Sequence, residues 1–453
     1  MRQPEPAAAA IPDALLAFQV PAAPRYRDDA AGKPGAEPRA VLAPRTTDDC
    51  ALILRGLQAA GLRAAVQGGR TGLSGGARVR PGEIVLSTEK LLAPPVIDPI
   101  AATLAAGAGT ALETAQMVAR EAGLFLAADL GARGSATLGG MAATNAGGPL
   151  ALRYGTFRQQ VLGLEAVLAD GSVVRRMGGL AKDNSGLDLS QLLIGSEGTL
   201  GIITRLVLRL HPAPLARRVA FCALASVEAA LALLPILRAG LGPSLQACEL
   251  MVDPLLTEAC AERGLRQPFS SPAALLIEVT DPADGERFET VLGKALADGY
   301  ISDAVLSASE ADCRAFWALR EGCSHYLIDN AGPITSLDLS LPIAAIARFL
   351  PEAEAICAGR ARPLVFGHLG DGNLHYILAG KPDHALVGEI FALTAAHGGA
   401  ITAEHGIGQD KVEWLPLCRE ADEIRAMARL KAALDPGWIL NDGRVFTRYE
   451  GEC

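Results

Sequence analysis

Two histidines in one short stretch are the residues of this chain best placed to do chemistry. The segment VFGHLGDGNLHYIL, residues 365–378, carries His368 and His375 on either side of an Asp-Gly pair. Asp-Gly is a strong signal for a two-residue hairpin turn. With that turn, the two histidines pair directly across the hairpin, with Cβ atoms ~5 Å apart on one face. Such a pair is either two ligands of one cation or a hydrogen-bonded structural pair.

A carboxylate that can join the two histidines occurs in the segment ITAEHGIG, residues 401–408. Glu404 and His405 follow an apolar run that is typical of a strand end. Neighbouring side chains of an extended chain point to opposite faces, so one of the two can reach a shared cation while the other faces elsewhere. Two histidines and a carboxylate suit zinc or manganese and leave coordination positions open for a substrate. A metal hydrolase with an activated water would use the same three ligands.

Three glycine-rich segments lie in the first half of the chain: QGGRTGLSGGA at 67–77, DLGARGSATLGGMAATNAGG at 129–148 and LLIGSEGTLGIIT at 192–204. Glycine lets consecutive backbone amides turn toward an anion, so the first loop is a candidate pyrophosphate cradle. It contains neither Gly-x-Gly-x-x-Gly nor a Walker lysine, which disfavours a Rossmann site and a P-loop. One such loop is also explained as a simple turn, whereas three together indicate an extended dinucleotide held by backbone groups.

The elements that position these motifs indicate more than one domain, because 453 residues exceed the usual size of a single core. The strand-like runs EIVLS, VVRRM and GIITRLVLRL, separated by glycine-rich segments, predict an α+β first domain. From Arg217 to about Leu341, short strands alternate with helices. This pattern predicts a separate cap domain whose sheet is layered with helices on one face, with the boundary near HPAPLARR.

Composition excludes several classes of protein. Half of the residues are apolar and 20% are charged, which is typical of a compact enzyme-like protein. A net charge of −9 disfavours nucleic acid and anionic membrane surfaces as partners. The nine cysteines form no Cys-x-x-Cys pair, which predicts a reducing compartment without a disulfide framework or a common iron-sulfur site. The N-terminus lacks a signal-peptide pattern, and no segment has ~18 uninterrupted apolar residues, so we expect a cytoplasmic protein without a transmembrane segment that begins in a mobile tail.

The three loops, in this order, resemble the FAD-binding domain of the vanillyl-alcohol oxidase (PCMH) type. With GHLGDGNLH and EHGIG, the chain resembles the flavin-dependent D-2-hydroxyacid dehydrogenases: D-lactate dehydrogenase, the glycolate oxidase flavoprotein subunit and D-2-hydroxyglutarate dehydrogenase. The resemblance covers about Ala40 to Phe446. It implies an α+β fold with a tail and lead-in at 1–33, a PCMH-type FAD-binding domain at 34–213, a cap domain with an antiparallel sheet and a metal site at 214–420, and a C-terminal segment at 421–453 that packs on the FAD domain.

The resemblance also implies which residues contact FAD. Met141 departs from the pattern, because relatives often have asparagine there, but we expect FAD binding to be retained. The expected cofactor-binding residues are Gly68, Gly69, Arg70, Thr71, Gly72, Leu73, Asp129, Gly134, Ser135, Thr137, Gly139, Thr144, Asn145, Gly147, Glu197, Gly198, Ile203 and Asn441.

The chemistry that the resemblance implies is oxidation of a D-2-hydroxyacid to the 2-oxoacid, with hydride transfer to the flavin. The family's metal ligands match His368, His375 and Glu404, and its general base matches His405. Arg320, in FWALREG, matches the residue that binds the substrate carboxylate. The electrons then pass to an acceptor protein or a quinone, and a homodimer is among the expected assemblies.

Two residues depart from the hydroxyglutarate dehydrogenase pattern. Ser336 stands where those enzymes carry lysine, and Ile377 stands where they carry asparagine. Both changes remove polar contacts to a second carboxylate, whose burial without a partner is costly. We therefore expect a monocarboxylate such as D-lactate or glycolate. The alternatives are D-2-hydroxyglutarate oxidation, a metal-dependent hydrolase, and a non-catalytic flavoprotein subunit of a larger complex.

Overall fold

The computed structural model describes residues 10–214, 216–280, 285–329 and 332–448. They form two compact units, the first from residues before Gly148, Gly155–Ala213 and those from Glu404 onward, the second from Gly148–Tyr154 and Pro214–Ala403. The chain thus rejoins the first unit at Glu404, earlier than the expected boundary at 420. The reason is that the amides of Gln409 and Asp410 both donate to Ser74 O in the first glycine loop. The tail predicted at the N-terminus lies, for residues 1–9, outside the described residues.

The strands of the described residues, in chain order, are β1 Gln19–Val20, β2 Val41–Leu42, β3 Ala64–Gln67, β4 Ile84–Ser87, β5 Val96–Asp98, β6 Thr103–Gly107, β7 Leu124–Phe125, β8 Val161–Val167, β9 Val173–Arg176, β10 Ile202–Arg209, β11 His211–Pro212, β12 Arg218–Leu224, β13 Leu245–Val252, β14 Ala273–Val279, β15 Asp303–Leu306, β16 Ile334–Ser340, β17 Arg362–His368 and β18 Asn373–Ala379.

The α-helices of the same residues are α1 Asp13–Leu16, α2 Thr47–Ala60, α3 Leu112–Glu121, α4 Leu138–Thr144, α5 Ala151–Tyr154, α6 Phe157–Gln160, α7 Ser190–Leu193, α8 Val227–Leu241, α9 Leu255–Arg263, α10 Gly285–Ala297, α11 Glu310–Asp329, α12 Ile346–Cys357, α13 His384–Ala396 and α14 Ala421–Leu434.

The first unit contains a four-stranded sheet in the order β1-β2-β4-β3 and a five-stranded antiparallel sheet in the order β5-β6-β10-β8-β9. The predicted strands EIVLS, VVRRM and GIITRLVLRL coincide with β4, β9 and β10 and are confirmed. Helix α2 begins at a capping box, in which Thr46 and Asp49 satisfy each other's backbone amides, and ends at Gly61 with φ 63°. Its buried face, which includes Ile53 and Leu57, packs into the core of this unit.

The second unit is built on a seven-stranded antiparallel sheet in the order β15-β12-β14-β13-β17-β18-β16, as predicted for the cap. Residues of α9 and α11 share one buried cluster with Phe221, Met251 and Leu276 from the sheet. Every residue of β14 is buried, and neighbouring residues of a strand point to opposite faces, so both faces of the sheet are covered. The expectation of cover on one face only was wrong.

One stretch of the described chain, Val227–Ser244, has the length and composition to cross a membrane, which the sequence analysis did not anticipate. The same length and composition occur in core helices. Helix α8, which makes up most of this stretch, contacts β12, β13 and β14 and buries Leu233, Leu234 and Leu237. The leucines on its buried face are therefore accounted for by packing within the second unit.

The β17–β18 hairpin differs from the predicted two-residue turn. His368 pairs with Asn373 and Phe366 pairs with His375, so residues 369–372 form a four-residue connection. The amides of Asp371 and Gly372 both donate to His368 O, at 3.2 Å. Gly372 has φ 84°, and a Cβ there would collide with Leu341 O, which is why the turn requires glycine. The register is shifted by two residues, one full period of a strand, so both histidines remain on the same face.

Candidate active site

One face of the sheet in the second unit gathers ionisable side chains from β13, β17, β18 and β16. His368 and His375 lie on this face, both more than nine-tenths buried, with a ring nitrogen of each within 4.8 Å of the other. The structure thus brings these two predicted metal ligands together as diagonal neighbours rather than as a direct pair. The spacing of the nitrogens suits two ligands of one cation.

Glu249 on β13, which the sequence analysis did not select, connects the predicted substrate arginine to a predicted metal ligand. Its Oε1 lies 2.8 Å from His368 Nδ1, and its Oε2 accepts a hydrogen bond of 2.8 Å from Arg320 Nε. Burial by itself raises the pKa of Glu249, but its interactions with the His368 ring and the Arg320 guanidinium outweigh it, so the pKa lies below its ordinary value. The buried carboxylate is therefore ionised and paired on both oxygens.

Arg320 is held from three sides. Besides the bond to Glu249, its Nη1 donates to Ser324 Oγ at 3.3 Å, and its guanidinium lies 4.8 Å from the centre of the Phe366 ring. Nη2 donates to none of the described residues, although the residue is only 8% exposed. A buried guanidinium with an unused edge is suited to a carboxylate ligand.

Asp338 on β16 organises the end of the same face. Its carboxylate accepts hydrogen bonds from Asn373 Nδ2 at 2.9 Å, from Ala403 N at 3.0 Å and from Thr402 Oγ1 at 3.2 Å. Its Oδ1 also lies 3.8 Å from His375 Nδ1. Asp338 thereby fixes the point at which the chain leaves this unit, immediately before Glu404.

The residues that depart from the hydroxyglutarate pattern lie on this face as well. Ser336 pairs with Ile377 across β16 and β18, one period from the pair formed by Asp338 and His375. Ile377 is buried in the apolar cluster with Phe366, whereas Ser336 is exposed. The wall beside His375 is therefore apolar, with a small hydroxyl at its rim.

In the first unit, the first and second glycine loops touch so closely that side chains are excluded between them. A Cβ at Gly68 would lie 2.6 Å from Thr137 Oγ1, and a Cβ at Gly69 would overlap Ser135 O. Thr137 is also the N-cap of α4, where its side chain accepts from Gly140 N. These glycines are needed for the contact between the loops.

The first loop keeps its backbone donors unused. The amides of residues 69–73 donate no hydrogen bond to any other described residue. A Cβ at Gly72 would meet nothing within 4 Å, and Leu73 is 45% exposed, so the loop has open space in front of it. Consecutive free amides beside open space fit a pyrophosphate, as expected for FAD.

Left-handed backbone is concentrated at the predicted cofactor residues. Seven non-glycine residues of the described chain have positive φ, and four of them are Arg70, Asn145, Glu197 and Asn441. Such conformations cost of order 1–3 kcal/mol and cluster at functional sites, where the surrounding structure maintains them.

Two of these four residues position the loops through bonds within the protein. Asn441 accepts from Val66 N at 2.8 Å and donates to Glu197 O at 2.6 Å, so it ties β3 to the third loop. The Glu197 carboxylate accepts from Ile407 N at 2.7 Å and from Gly408 N at 2.8 Å. Burial raises the pKa of Glu197, and the two amide bonds only partly oppose it. Glu197 thus holds the segment that follows Glu404 and His405.

The remaining predicted cofactor residues have local partners. Asp129 pairs with Arg133 at 3.1 Å, and Thr144 Oγ1 donates to Gly140 O at 3.0 Å. Asn145 Oδ1 accepts from Arg158 N at 2.9 Å. The others lie in the same loops or on β10, where Ile203 is part of the core: Gly134, Gly139, Gly147, Gly198 and Ile203.

Glu404 and His405 begin the last segment of the first unit. A Cβ at Gly147 would lie 2.5 Å from Glu404 Oε1, so glycine at that position leaves room for the carboxylate. The predicted ligand set is divided between the units, with His368 and His375 in the second and Glu404 in the first. The role of Glu404 as a ligand and of His405 as a base stays a prediction.

Glu249 and Asp338 were not predicted as site residues, but the apolar sequence around each of them was a signal. Glu249 lies in LQACELMV and Asp338 lies in ITSLDLSL, both otherwise rich in apolar residues. A charged side chain in a buried strand must be paired, so each of these two carboxylates was expected to have a specific partner. What the sequence did not show was the partner of each carboxylate.

Two sequence families match the chain. Residues 38–176 match the family described as "FAD binding domain", and residues 213–445 match "FAD linked oxidases, C-terminal domain". The prediction of FAD as cofactor is confirmed, and the five free amides of the first loop fit its pyrophosphate.

The chain is also similar to named proteins. It is 37% identical over 413 residues to the mitochondrial D-2-hydroxyglutarate dehydrogenase of Bos taurus, covering 89% of this chain and 76% of that protein. It is 36% identical over 433 residues to the D-2-hydroxyglutarate dehydrogenase of Xanthomonas citri pv. viticola, covering 91% and 90%. A putative mitochondrial D-lactate dehydrogenase of Schizosaccharomyces pombe is 33% identical over 420 residues, covering 88% and 80%.

Solved structures show the same fold. p-Cresol methylhydroxylase with substrate bound has a TM-score of 0.74 at 13% identity, covering 97% of this chain and 94% of that one. The 4-ethylphenol oxidase of Gulosibacter chungangensis has a TM-score of 0.70 at 18% identity, covering 91% and 90%. The PCMH-type fold predicted from the glycine loops is confirmed.

Proposed function

Because the chain belongs to the FAD-linked D-2-hydroxyacid dehydrogenase family, we propose that it oxidises a D-2-hydroxy monocarboxylate, such as D-lactate or glycolate, with the help of a divalent cation. The observation that carries this proposal is the arrangement around Glu249, which joins a cation-binding histidine to a carboxylate-binding arginine on one sheet face. A 2-hydroxyacid presents a hydroxyl and a carboxylate on adjacent carbons. The two partners of Glu249 match these two groups.

Arg320 binds the substrate carboxylate. Its Nε is used by Glu249 and its Nη1 donates to Ser324, so Nη2 is the nitrogen available for a charge-assisted hydrogen bond to a ligand carboxylate. Burial strengthens this ion pair, because the effective dielectric constant is lower than in water. The Phe366 ring, whose centre lies 4.8 Å from the guanidinium carbon, attracts the cation and helps to hold it in place.

His368 and His375 hold the cation, with Glu404 as the third ligand. A zinc or manganese ion, when bound, polarises the substrate hydroxyl and lowers its pKa. Glu249 supports His368 as a ligand, since a carboxylate on Nδ1 leaves Nε2 with its lone pair. The role of Glu404 as a ligand is supported by the two residues directly before it. Thr402 and Ala403 donate hydrogen bonds to Asp338, which lies beside His375.

His405 acts as the general base, and its imidazole accepts the proton of the substrate hydroxyl. Glu197 supports this role, because its carboxylate holds the backbone amides two and three residues after His405 and so limits the freedom of this segment. FAD, held by the glycine loops of the first unit, would supply the acceptor for the hydride of the substrate carbon. The electrons then pass to an acceptor protein or a quinone.

The apolar wall formed by Ile377 selects against a second carboxylate. The relatives named D-2-hydroxyglutarate dehydrogenase favour a second candidate, oxidation of D-2-hydroxyglutarate. The two candidate substrates differ by one carboxylate, and burying this charge without a partner is costly because it must be desolvated.

An anaerobic screen of flavin bleaching tests both candidates. Purified protein is mixed with D- and L-lactate, glycolate and D-2-hydroxyglutarate, and absorbance near 450 nm is followed. The proposal expects bleaching by D-lactate or glycolate at a higher kcat/KM than by D-2-hydroxyglutarate. The reverse order favours the second candidate. No bleaching by any of the four contradicts both and favours a non-catalytic subunit.

Replacing the base is the matching test of mechanism. His405→Gln is expected to lower kcat by about 10²–10⁴-fold, the usual contribution of a general base, while FAD content is retained. His384→Gln, at the start of α13, is the control and is expected to leave kcat unchanged. Undiminished turnover in His405→Gln would remove the assigned base. Chelator-sensitive hydrolase activity that survives removal of the flavin would favour a metal hydrolase.

A further inference from the structure

Resting on the proposed function, we infer that Glu249 is a positioning residue that sets the geometry between the cation and the substrate carboxylate. Its two carboxylate oxygens are divided, one toward His368 Nδ1 and one toward Arg320 Nε, each at 2.8 Å. A carboxylate is planar and rigid, so it fixes both partners relative to each other.

Glu249 is itself firmly held. The residue is 1% exposed and lies in the middle of β13, opposite His368 on β17 and opposite Leu276 on β14. A side chain at such a position has little freedom to change rotamer, because the core around it is close-packed. The position of the carboxylate is therefore set by the sheet itself.

On the histidine side, Glu249 determines the tautomer. A carboxylate at Nδ1 accepts the Nδ1–H and leaves the lone pair on Nε2, which is the form that binds a metal ion. Without the carboxylate, neutral imidazole distributes between both tautomers and the ring loses its fixed orientation. Loss of such an orienting partner typically lowers metal affinity by about 10–100-fold.

On the arginine side, Glu249 fixes the edge that is presented to substrate. Nε is engaged by Glu249 and Nη1 by Ser324, which leaves Nη2 without an acceptor among the described residues. Glu249 also supplies the negative charge that allows a cation and a guanidinium to share one buried face. Glu249 thus positions both the site of the substrate hydroxyl, through His368, and the site of the substrate carboxylate, through Arg320.

Glu278 offers a matched control. It is also a buried glutamate on the same sheet, 2% exposed, and it binds Gln246 Nε2 at 2.9 Å and Trp317 on α11, one turn before Arg320. Its third partner is Arg217, whose Nη1 donates at 3.5 Å, and neither His368 nor Arg320 is among its hydrogen-bond partners. Glu278→Gln therefore reports the general effect of removing a buried carboxylate from this sheet.

The experiment compares the FAD-loaded parent, Glu249→Gln and Glu278→Gln. Zinc titration of chelator-treated protein is expected to give about 10–100-fold weaker binding for Glu249→Gln and no change for Glu278→Gln. The KM for the bleaching hydroxyacid is expected to rise by at least about tenfold in the first variant only, which corresponds to one charge-assisted bond. In the metal-free state, ¹⁵N NMR of the imidazoles is expected to show His368 as the Nδ1–H tautomer in the parent and as a mixture in Glu249→Gln. His368→Gln assigns the signal.

The outcomes separate this inference from the function on which it rests. A parent that binds zinc and turns over, together with a Glu249→Gln variant of equal zinc affinity, KM and tautomer, overturns the inference alone. A parent without zinc binding or turnover overturns both. If Glu249→Gln unfolds, Glu249→Asp replaces it: the shortened side chain keeps the charge, and the inference then requires that zinc affinity or KM changes while thermal stability matches that of Glu278→Gln.

Discussion

His368 and His375 are diagonal neighbours on the β17–β18 hairpin, with ring centroids 5.4 Å apart and ring planes inclined at 78°. This relationship results from a four-residue connection, in which His375 faces Phe366 and His368 faces Asn373. Both imidazoles nevertheless lie on the buried face that carries Glu249 and Asp338, because the observed register differs from the predicted one by two residues, a whole strand period.

The first prediction concerns this pair. His375→Asn is expected to lower zinc affinity by more than about 100-fold, because loss of an orienting partner alone costs 10–100-fold and here a ligand is lost. Zinc titration of the chelator-treated protein measures it. His397→Asn is the control, since His397 lies in the same unit and binds Glu352 at 3.0 Å. Equal zinc affinity of the parent and His375→Asn would contradict the metal site.

The second prediction concerns the contact between the glycine loops. Gly69→Ala is expected to destabilise the first unit by about 1–3 kcal/mol and to release FAD at a lower temperature, because the new Cβ overlaps Ser135 O. The measurement is flavin fluorescence during heating. Gly131→Ala, where a Cβ meets nothing within 4 Å, is expected to behave as the parent. If the two variants release FAD at the same temperature, the close contact of the loops is not needed for binding.

The third prediction concerns the thiols and pH. Seven cysteines of the described chain are buried and Cys418 is half-buried, while Cys453 lies outside the described residues. Burial raises the pKa of Cys222 and of Cys323 to about 12. These thiols therefore stay protonated up to about pH 12 in the folded state. Since the thiolate is the reactive form, they are unreactive toward thiol reagents at lower pH.

In a Cys453→Ser background, a thiol reagent is therefore expected to label one cysteine per folded chain, with no further labelling between pH 7 and 9. All eight remaining cysteines should react after denaturation. Cys418→Ser in the same background is expected to abolish labelling of the folded protein. Rapid modification of two or more thiols in the native state would contradict the burial.

The fourth prediction concerns substrate choice. Ser336→Lys is expected to raise the ratio of kcat/KM for D-2-hydroxyglutarate over D-lactate by at least about tenfold, because a hydrogen bond to a charged group contributes about 1.5–3 kcal/mol. The exposed position of Ser336 opposite Ile377 allows a longer side chain. Thr335→Lys places the same charge on the opposite face of β16 and is expected to leave the ratio unchanged. A ratio that stays the same in Ser336→Lys would show that position 336 does not contact the substrate.

The sequence alone determined the features that depend on local chemistry. Runs of glycine in three loops predicted an extended dinucleotide, since glycine both frees backbone amides and permits close contact, as at Gly68 and Gly69, and the resemblance of the loops to a known family implied that this dinucleotide is FAD. The spacing of His368 and His375 predicted a shared face, because strand periodicity is local and survives an error in the turn. The alternation of strands and helices after Arg217 predicted a second domain with a sheet layered by helices, and the family resemblance implied that this sheet is antiparallel, as it is.

Only the tertiary structure decided which groups meet. Glu249 binds His368 from 119 residues away in the chain, and Glu197 binds Gly408 from 211 residues away. Such pairings depend on strand order and on packing around buried charges, which local periodicity does not encode. For the same reason the two-residue turn predicted for the hairpin was wrong, since the turn depends on a long-range contact of Gly372 with Leu341. The return of the chain to the first unit likewise depends on a long-range contact, that of Gln409 with Ser74.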